Sequence, residues 1–101
     1  MSFKVKNTFT RTNANTPFHV STVNDSFVQH IIGNYKNTGK LLDLVTEVSP
    51  DALTLTVTWV WNTEADYNEY AADSVTVAHR TDRDTYNSAN GIALSQQLNA
   101  A

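Results

Sequence analysis

The stretch Leu53 to Trp61 reads Leu-Thr-Leu-Thr-Val-Thr-Trp-Val-Trp and constrains the rest of the chain more than any other segment. Successive side chains of an extended backbone point to opposite faces. Leu53, Leu55, Val57, Trp59 and Trp61 therefore share one side, and Thr54, Thr56, Thr58 and Val60 share the other. That is the pattern of a half-buried β-strand. It places both tryptophans of the chain on a single face, and a face so apolar must be covered by something.

Either helices meet this face and the tryptophans are core, or it is the open face of the sheet and marks an interface or a ligand cavity. Phe3 to Thr12 alternates in the same way, with Phe3, Val5 and Phe9 opposite Lys4, Lys6, Thr8 and Thr10, and predicts a first strand with a polar outer side. Asn13 to Pro17 is turn-rich and predicts a loop, which Phe18 to Val20 continue as an extended piece. The period then changes. Val23, Phe27, Ile31 and Tyr35 recur every fourth residue, an apolar stripe on a helix that Ser21 or Thr22 would cap and Gly39 would end. Gly33 lies inside that stripe and marks close packing or a weak point. Leu41 to Ser49 predicts a second strand, with Leu42, Leu44 and Val48 on one face and Leu41, Asp43, Val45 and Glu47 on the other. Ser49-Pro50-Asp51 is a turn signal that joins this strand to the tryptophan strand as an antiparallel hairpin.

Downstream, Thr63 followed by Asp66 resembles a capping box and opens a short helix, Glu64 to Ala72. Asp73 caps a further helix whose inward residues include Val75, Ala78 and Tyr86, and Asn90-Gly91-Ile92 stops it, with Ile92 folding back on the last turn. The order strand, helix, strand, strand, helix gives an α+β domain, an antiparallel sheet backed by helices. One domain is expected over residues 1–92, followed by a polar C-terminal tail over 93–101 that is disordered, adds to a partner or forms a short last strand.

Composition limits what this domain can do. A length of 101 residues suits one core, and a net charge of -3 with scattered Lys and Arg argues against a general nucleic-acid binder. Lys4, Lys6 and Arg11 form the only loose basic cluster and read as a solvated strand face. With no cysteine there are no disulfides, thiolate nucleophiles or Cys-based metal sites. His19, His30 and His79 lack zinc-ligand spacing, so no metal is expected. No phosphate-binding glycine loop or nucleophile motif occurs, and no cofactor is expected. No stretch is apolar for long enough to span a bilayer, and no secretory signal is visible, which points to a cytoplasmic location without membrane association.

Three segments carry a resemblance to a known family: Ser49-Pro50-Asp51-Ala52-Leu53, the alternating strand with Trp59, and Thr63-Glu64-Ala65-Asp66-Tyr67. Over Phe3 to Ile92 the chain resembles the dimeric α+β barrel superfamily, ferredoxin-like in fold, which includes the antibiotic-biosynthesis monooxygenase-like domains. Thr38-Gly39-Lys40-Leu41 and Tyr86 to Ile92 also look like small proteins of tailed marine phages. The first resemblance implies a homodimer formed through the open sheet face. The second implies a phage accessory component, placed in the host cytoplasm or virion with other virion proteins as partners.

Two functions follow as expectations. One is a small, non-catalytic homodimeric structural or accessory protein, phage-encoded and virion-associated. The alternative is a cofactor-independent monooxygenase-like or small aromatic ligand-binding protein. For the alternative, residue type selects Trp59, Trp61, Asn62 and His79 as the lining of a candidate cavity, and no catalytic role is assigned to any residue. Arg80, Asp82, Arg83 and Asp84 read as a solvent-exposed helix surface.

Overall fold

The computed structural model describes residues 2–19 and 25–99. The elements are β1 (Phe3–Thr10), α1 (Ser26–Ile31) running on into a π-helical turn (Ile32–Lys36), β2 (Leu41–Val48), β3 (Thr54–Trp61), α2 (Glu64–Ala72), α3 (Ser74–Asn90) and β4 (Ala93–Leu98). The four strands form one sheet in the order β2-β3-β1-β4, and all neighbours are antiparallel. This is the ferredoxin-like α+β arrangement, with the tryptophan strand β3 inside the sheet between β1 and β2.

The Leu and Trp face of β3 meets the helices. Trp61 is fully buried and packs with Phe3, Val5, Phe27, Ile31, Tyr35, Leu41, Tyr67 and Tyr70. Phe9, Leu55 and Ile92 form a second buried cluster toward the other end of the strands. The opposite face carries Lys4, Lys6, Thr8 and Thr10 from β1, paired with Val60, Thr58, Thr56 and Thr54 from β3. These side chains are half-buried or exposed, so the sheet has one face covered by helices and one open.

Local chemistry explains most element ends. Asp25 caps α1 by accepting from the Phe27 N–H at 2.9 Å; the expected caps Ser21 and Thr22, and Val20 and Val23 with them, lie outside the described residues. Gly33 falls in the π-helical turn, is exposed, and has nothing against its α-carbon, so close packing is not its reason. Gly39 (φ 80°) and Gly91 (φ 68°) take the left-handed conformation that ends a helix at low steric cost. After Gly91 the Ile92 N–H donates back to the Asn87 carbonyl at 2.9 Å, and Ile92 is buried, as the sequence predicts. Thr63 accepts from the Asp66 N–H at 3.1 Å and opens α2. The β2–β3 turn is closed by the Ala52 N–H donating to the Ser49 carbonyl at 2.9 Å, with the Asp51 carboxylate accepting from the Ser49 hydroxyl and the Leu53 N–H. Those two bonds hold the exposed Asp51 carboxyl below its usual pKa.

Three expectations need correction. Leu41 pairs with Trp61, but the next register pair is Asp43 with Val60, so the ladder shifts at Leu42. The bulge turns Leu41 into the core while Leu44, Thr46 and Val48 take the helix-side face after it. Next, residues 93–98 are no tail beyond the domain: β4 pairs with β1 from Val5–Leu98 to Thr10–Ala93. Its side chains are mostly exposed, so the backbone ladder holds it more than burial does. Finally, α3 buries Thr76 and Asn87, whereas Ala78 is exposed and Val75 and Tyr86 are half-buried.

Candidate functional site

A cavity of about 190 Å³ lies between the helices and the middle of the sheet. Its position follows from the strand register. Val5 pairs with Trp59, Asn7 with Val57 and Phe9 with Leu55, and all six line the cavity. At the centre both strands carry short side chains, Asn7 and Val57, between the two buried clusters. From the helical side the wall is Phe27 and Val28 of α1, Tyr67 and Tyr70 of α2, and His79, Arg80 and Arg83 of α3. The helix that should fill the gap presents long polar side chains in place of branched apolar ones, and a hollow is left.

The α3 side chains reach the cavity through helical spacing. Thr76, Arg80, Arg83 and Asn87 recur at intervals of four, three and four residues, and His79 stands beside them. Arg80 and Arg83 are therefore not a solvated surface; the Arg83 side chain is 13% exposed, against 62% for its neighbour Asp84. Arg80 donates through Nη2 to the Tyr67 hydroxyl at 3.3 Å, and its guanidinium lies 5.6 Å from the centre of the Tyr70 ring. Arg83 pairs with Asp84 at 3.1 Å and reaches over the Phe9 ring. Tyr70 packs on Trp59 with ring centres 5.2 Å apart. Burial pushes the Tyr70 phenol up to about 12, against the opposing pull of Arg80 and Arg83.

His79 stacks flat on Phe27, ring centres 3.7 Å apart and planes within 3°. Burial, with His19 and Arg83 nearby, lowers its pKa and favours the neutral imidazole. His19 enters from the loop after β1, its ring 5.6 Å from His79 and 5.4 Å from Tyr86. That loop is braced by Arg11, which donates to the carbonyls of Ala52 and Thr16 at 2.8 Å each and lies 4.1 Å from the centre of the Phe18 ring. Arg11 is thus a brace and no part of a solvated basic face. On the floor, the Asn7 side-chain oxygen accepts from Gln96 of β4 at 3.0 Å, so the strand expected as a tail helps to orient a cavity residue.

Of the four residues selected by type, Trp59 and His79 line this cavity. Trp61 packs behind Trp59, the two rings parallel within 3° at 6.0 Å, and has no exposed surface. Asn62 follows the end of β3, is exposed, and donates its backbone N–H to the Lys40 carbonyl at 2.8 Å. Sequence reasoning missed His19, Asn7, Arg80 and Arg83. The helical spacing of polar residues along α3 was the available signal. Among the described residues, no group of three His, Asp or Glu side chains is placed to hold a metal ion, and no helix is long and apolar enough to cross a membrane.

No protein-family model matches the sequence, and no curated protein matches it either. Solved structures do. A proposed antibiotic biosynthesis monooxygenase from Deinococcus radiodurans aligns over 100% of this chain and 92% of its own, with a TM-score of 0.59 at 10% identity. The fold is shared. Rv0793 from Mycobacterium tuberculosis aligns over 96% and 93% of the two chains, with a TM-score of 0.52 at 10% identity. A dimeric ferredoxin-like protein from an uncultured marine organism covers 96% and 94%, with a TM-score of 0.50 at 10% identity. These likenesses support the ferredoxin-like expectation and bring in monooxygenase-like and dimeric ferredoxin-like proteins. None of the three is described as a phage protein.

Proposed function

We propose that the protein binds a small aromatic ligand in the cavity between its sheet and helices. The observation that carries this reading is the lining itself: an aromatic wall of Trp59, Tyr67 and Tyr70 beside a polar set of Asn7, His19, His79 and Arg80. Concave, mostly apolar sites with a few convergent polar groups are the usual form of small-molecule sites. The volume of about 190 Å³ suits one ring with a substituent, given that a cavity of roughly 150 Å³ admits benzene. The expectation of a structural or virion component finds no comparable support.

Titration with 4-methylphenol and related phenols is expected to change tryptophan emission, because Trp59 lines the cavity. Trp59→Phe is expected to remove most of the response, since Trp61 is fully buried behind it. No change across the panel would reject the reading.

Oxidation of the bound phenol is a second reading, favoured by the position of the His79 imidazole in the cavity wall. The imidazole can accept the phenolic proton. One atom of dioxygen then enters the ring and the other leaves as water, taking phenol to quinone with the phenol supplying the electrons. The structural neighbour named as a proposed monooxygenase supports this chemistry. Oxygen uptake equal to quinone formed would test it; a ligand that binds and consumes no oxygen would leave binding alone.

We also propose a homodimer formed through the open sheet face, supported by the neighbour described as dimeric. Sedimentation at micromolar concentration should give a dimer, and Thr56→Asp, placed opposite Glu47 on that face, should shift it to monomer. A wild-type monomer would overturn the proposal.

A further inference from the structure

We infer that the ligand is an aromatic carboxylic acid bound as its anion, with the ring against Trp59 and Tyr70 and the carboxylate at Arg80. This rests on reading the cavity as a ligand site and adds the charge of the ligand. The observation is an imbalance. His19, His79, Arg80 and Arg83 line the cavity, and no Asp or Glu does. Arg83 has a counter-charge in Asp84. Among the described residues Arg80 has none: it donates to the uncharged Tyr67 hydroxyl, and its Nε is buried without a partner. The His19 Nδ1 is likewise buried and unpartnered.

A guanidinium withdrawn from water without an opposite charge is costly, and a ligand carrying that charge removes the cost. A carboxylate is the group that fits. It is fully ionised near neutral pH, whereas a simple phenol is not. Its two oxygens also match the planar fork of a guanidinium. Tyr70 touches both Trp59 and Arg80, so one ligand can meet the indole and the guanidinium together.

The test is calorimetric titration at pH 7 with 4-methylbenzoate and 4-methylbenzamide, which have nearly the same shape and differ in charge. The benzoate is expected to bind about tenfold or more tightly, the range of a charge-assisted hydrogen bond. Arg80→Met is expected to bring the ratio of benzoate to benzamide affinity to within about twofold, whatever its effect on ring binding as such. Equal affinities in the wild type would overturn the inference and leave the aromatic site standing, as would a preference that survives in Arg80→Met. Binding of neither ligand, nor of the phenols above, would overturn the site and the inference together. The wild-type pair decides the charge preference by itself, even if the variant fails to fold.

Discussion

Trp61→Ala is expected to lower the unfolding free energy by about 3–5 kcal/mol, the range for removing a buried aromatic ring. Urea denaturation followed by circular dichroism would measure it. The ring is 0% exposed and meets aromatic neighbours on several sides: Tyr35 edge-on at 5.7 Å, Tyr70 at 4.8 Å, Tyr67 at 6.1 Å and Trp59 stacked at 6.0 Å. These neighbours come from the π-helical turn, α2 and β3 itself, so no single element can move in to fill the void. A domain of this size is stable by about 5–15 kcal/mol in total, so the loss would be a large fraction.

Two comparisons make the expectation specific. The indole N–H of Trp61 is buried without a partner, so Trp61→Phe loses ring area but no hydrogen bond and should cost only about 1–2 kcal/mol. Trp59 is half-buried and lines the cavity, so Trp59→Ala should also cost about 1–2 kcal/mol, and more in ligand affinity than in stability. Equal costs for the two alanine variants would mean that Trp59 is core and the cavity closes in solution.

The unequal roles of two tryptophans two residues apart show where sequence reasoning reached and where it stopped. Which face the helices cover depends on how the elements pack, and only the structure gives it. Period-two alternation placed both rings on one face, because strand alternation is a local pattern. The hairpin turn, the caps at Thr63 and Asp73 and the stop at Gly91 were legible for the same reason: each depends on side chains within a few residues. The bulge at Leu42 was not, since it changes no residue type and only moves the register. β4 was legible only as one of three alternatives for residues 93–101, because its strength lies in backbone pairing with β1 and its side chains are mostly exposed. The cavity residues of α3 were hidden by a general expectation that charged residues face water. Arg80 and Arg83 break it because their guanidinium groups turn toward the covered side of the sheet and lie over the rings of Tyr70 and Phe9.

Asp73→Ala is expected to cost about 2–4 kcal/mol although its side chain lies outside the aromatic core. One carboxylate oxygen, Oδ1, accepts from the Val75 N–H at 2.9 Å and caps α3. The other, Oδ2, accepts from the Tyr35 hydroxyl at 2.6 Å and lies 2.6 Å from His30 Nε2. One residue therefore ties α1, its π-helical turn and α3 together. Loss of the cap alone costs about 1 kcal/mol, and loss of hydrogen bonds to a charged group adds about 1.5–3 kcal/mol. Asp73→Asn separates the two parts, since Asn caps a helix nearly as well as Asp but carries no charge. It should recover about 1 kcal/mol of the alanine deficit.

The same contacts set a pH dependence. The Tyr35 and His30 hydrogen bonds, then that from Val75, lower the Asp73 carboxyl to about 2. The folded pKa lies below the unfolded value near 3.9, so the unfolded chain binds the proton more readily. The stabilisation is fully present above about pH 4 and is lost as the pH falls toward 2. Thermal denaturation between pH 5 and pH 2 should show wild type losing stability across that window, with a shallower decline in both Asp73 variants. Parallel declines in all three proteins would mean that Asp73 is not ionised against Tyr35 and His30 in the folded chain.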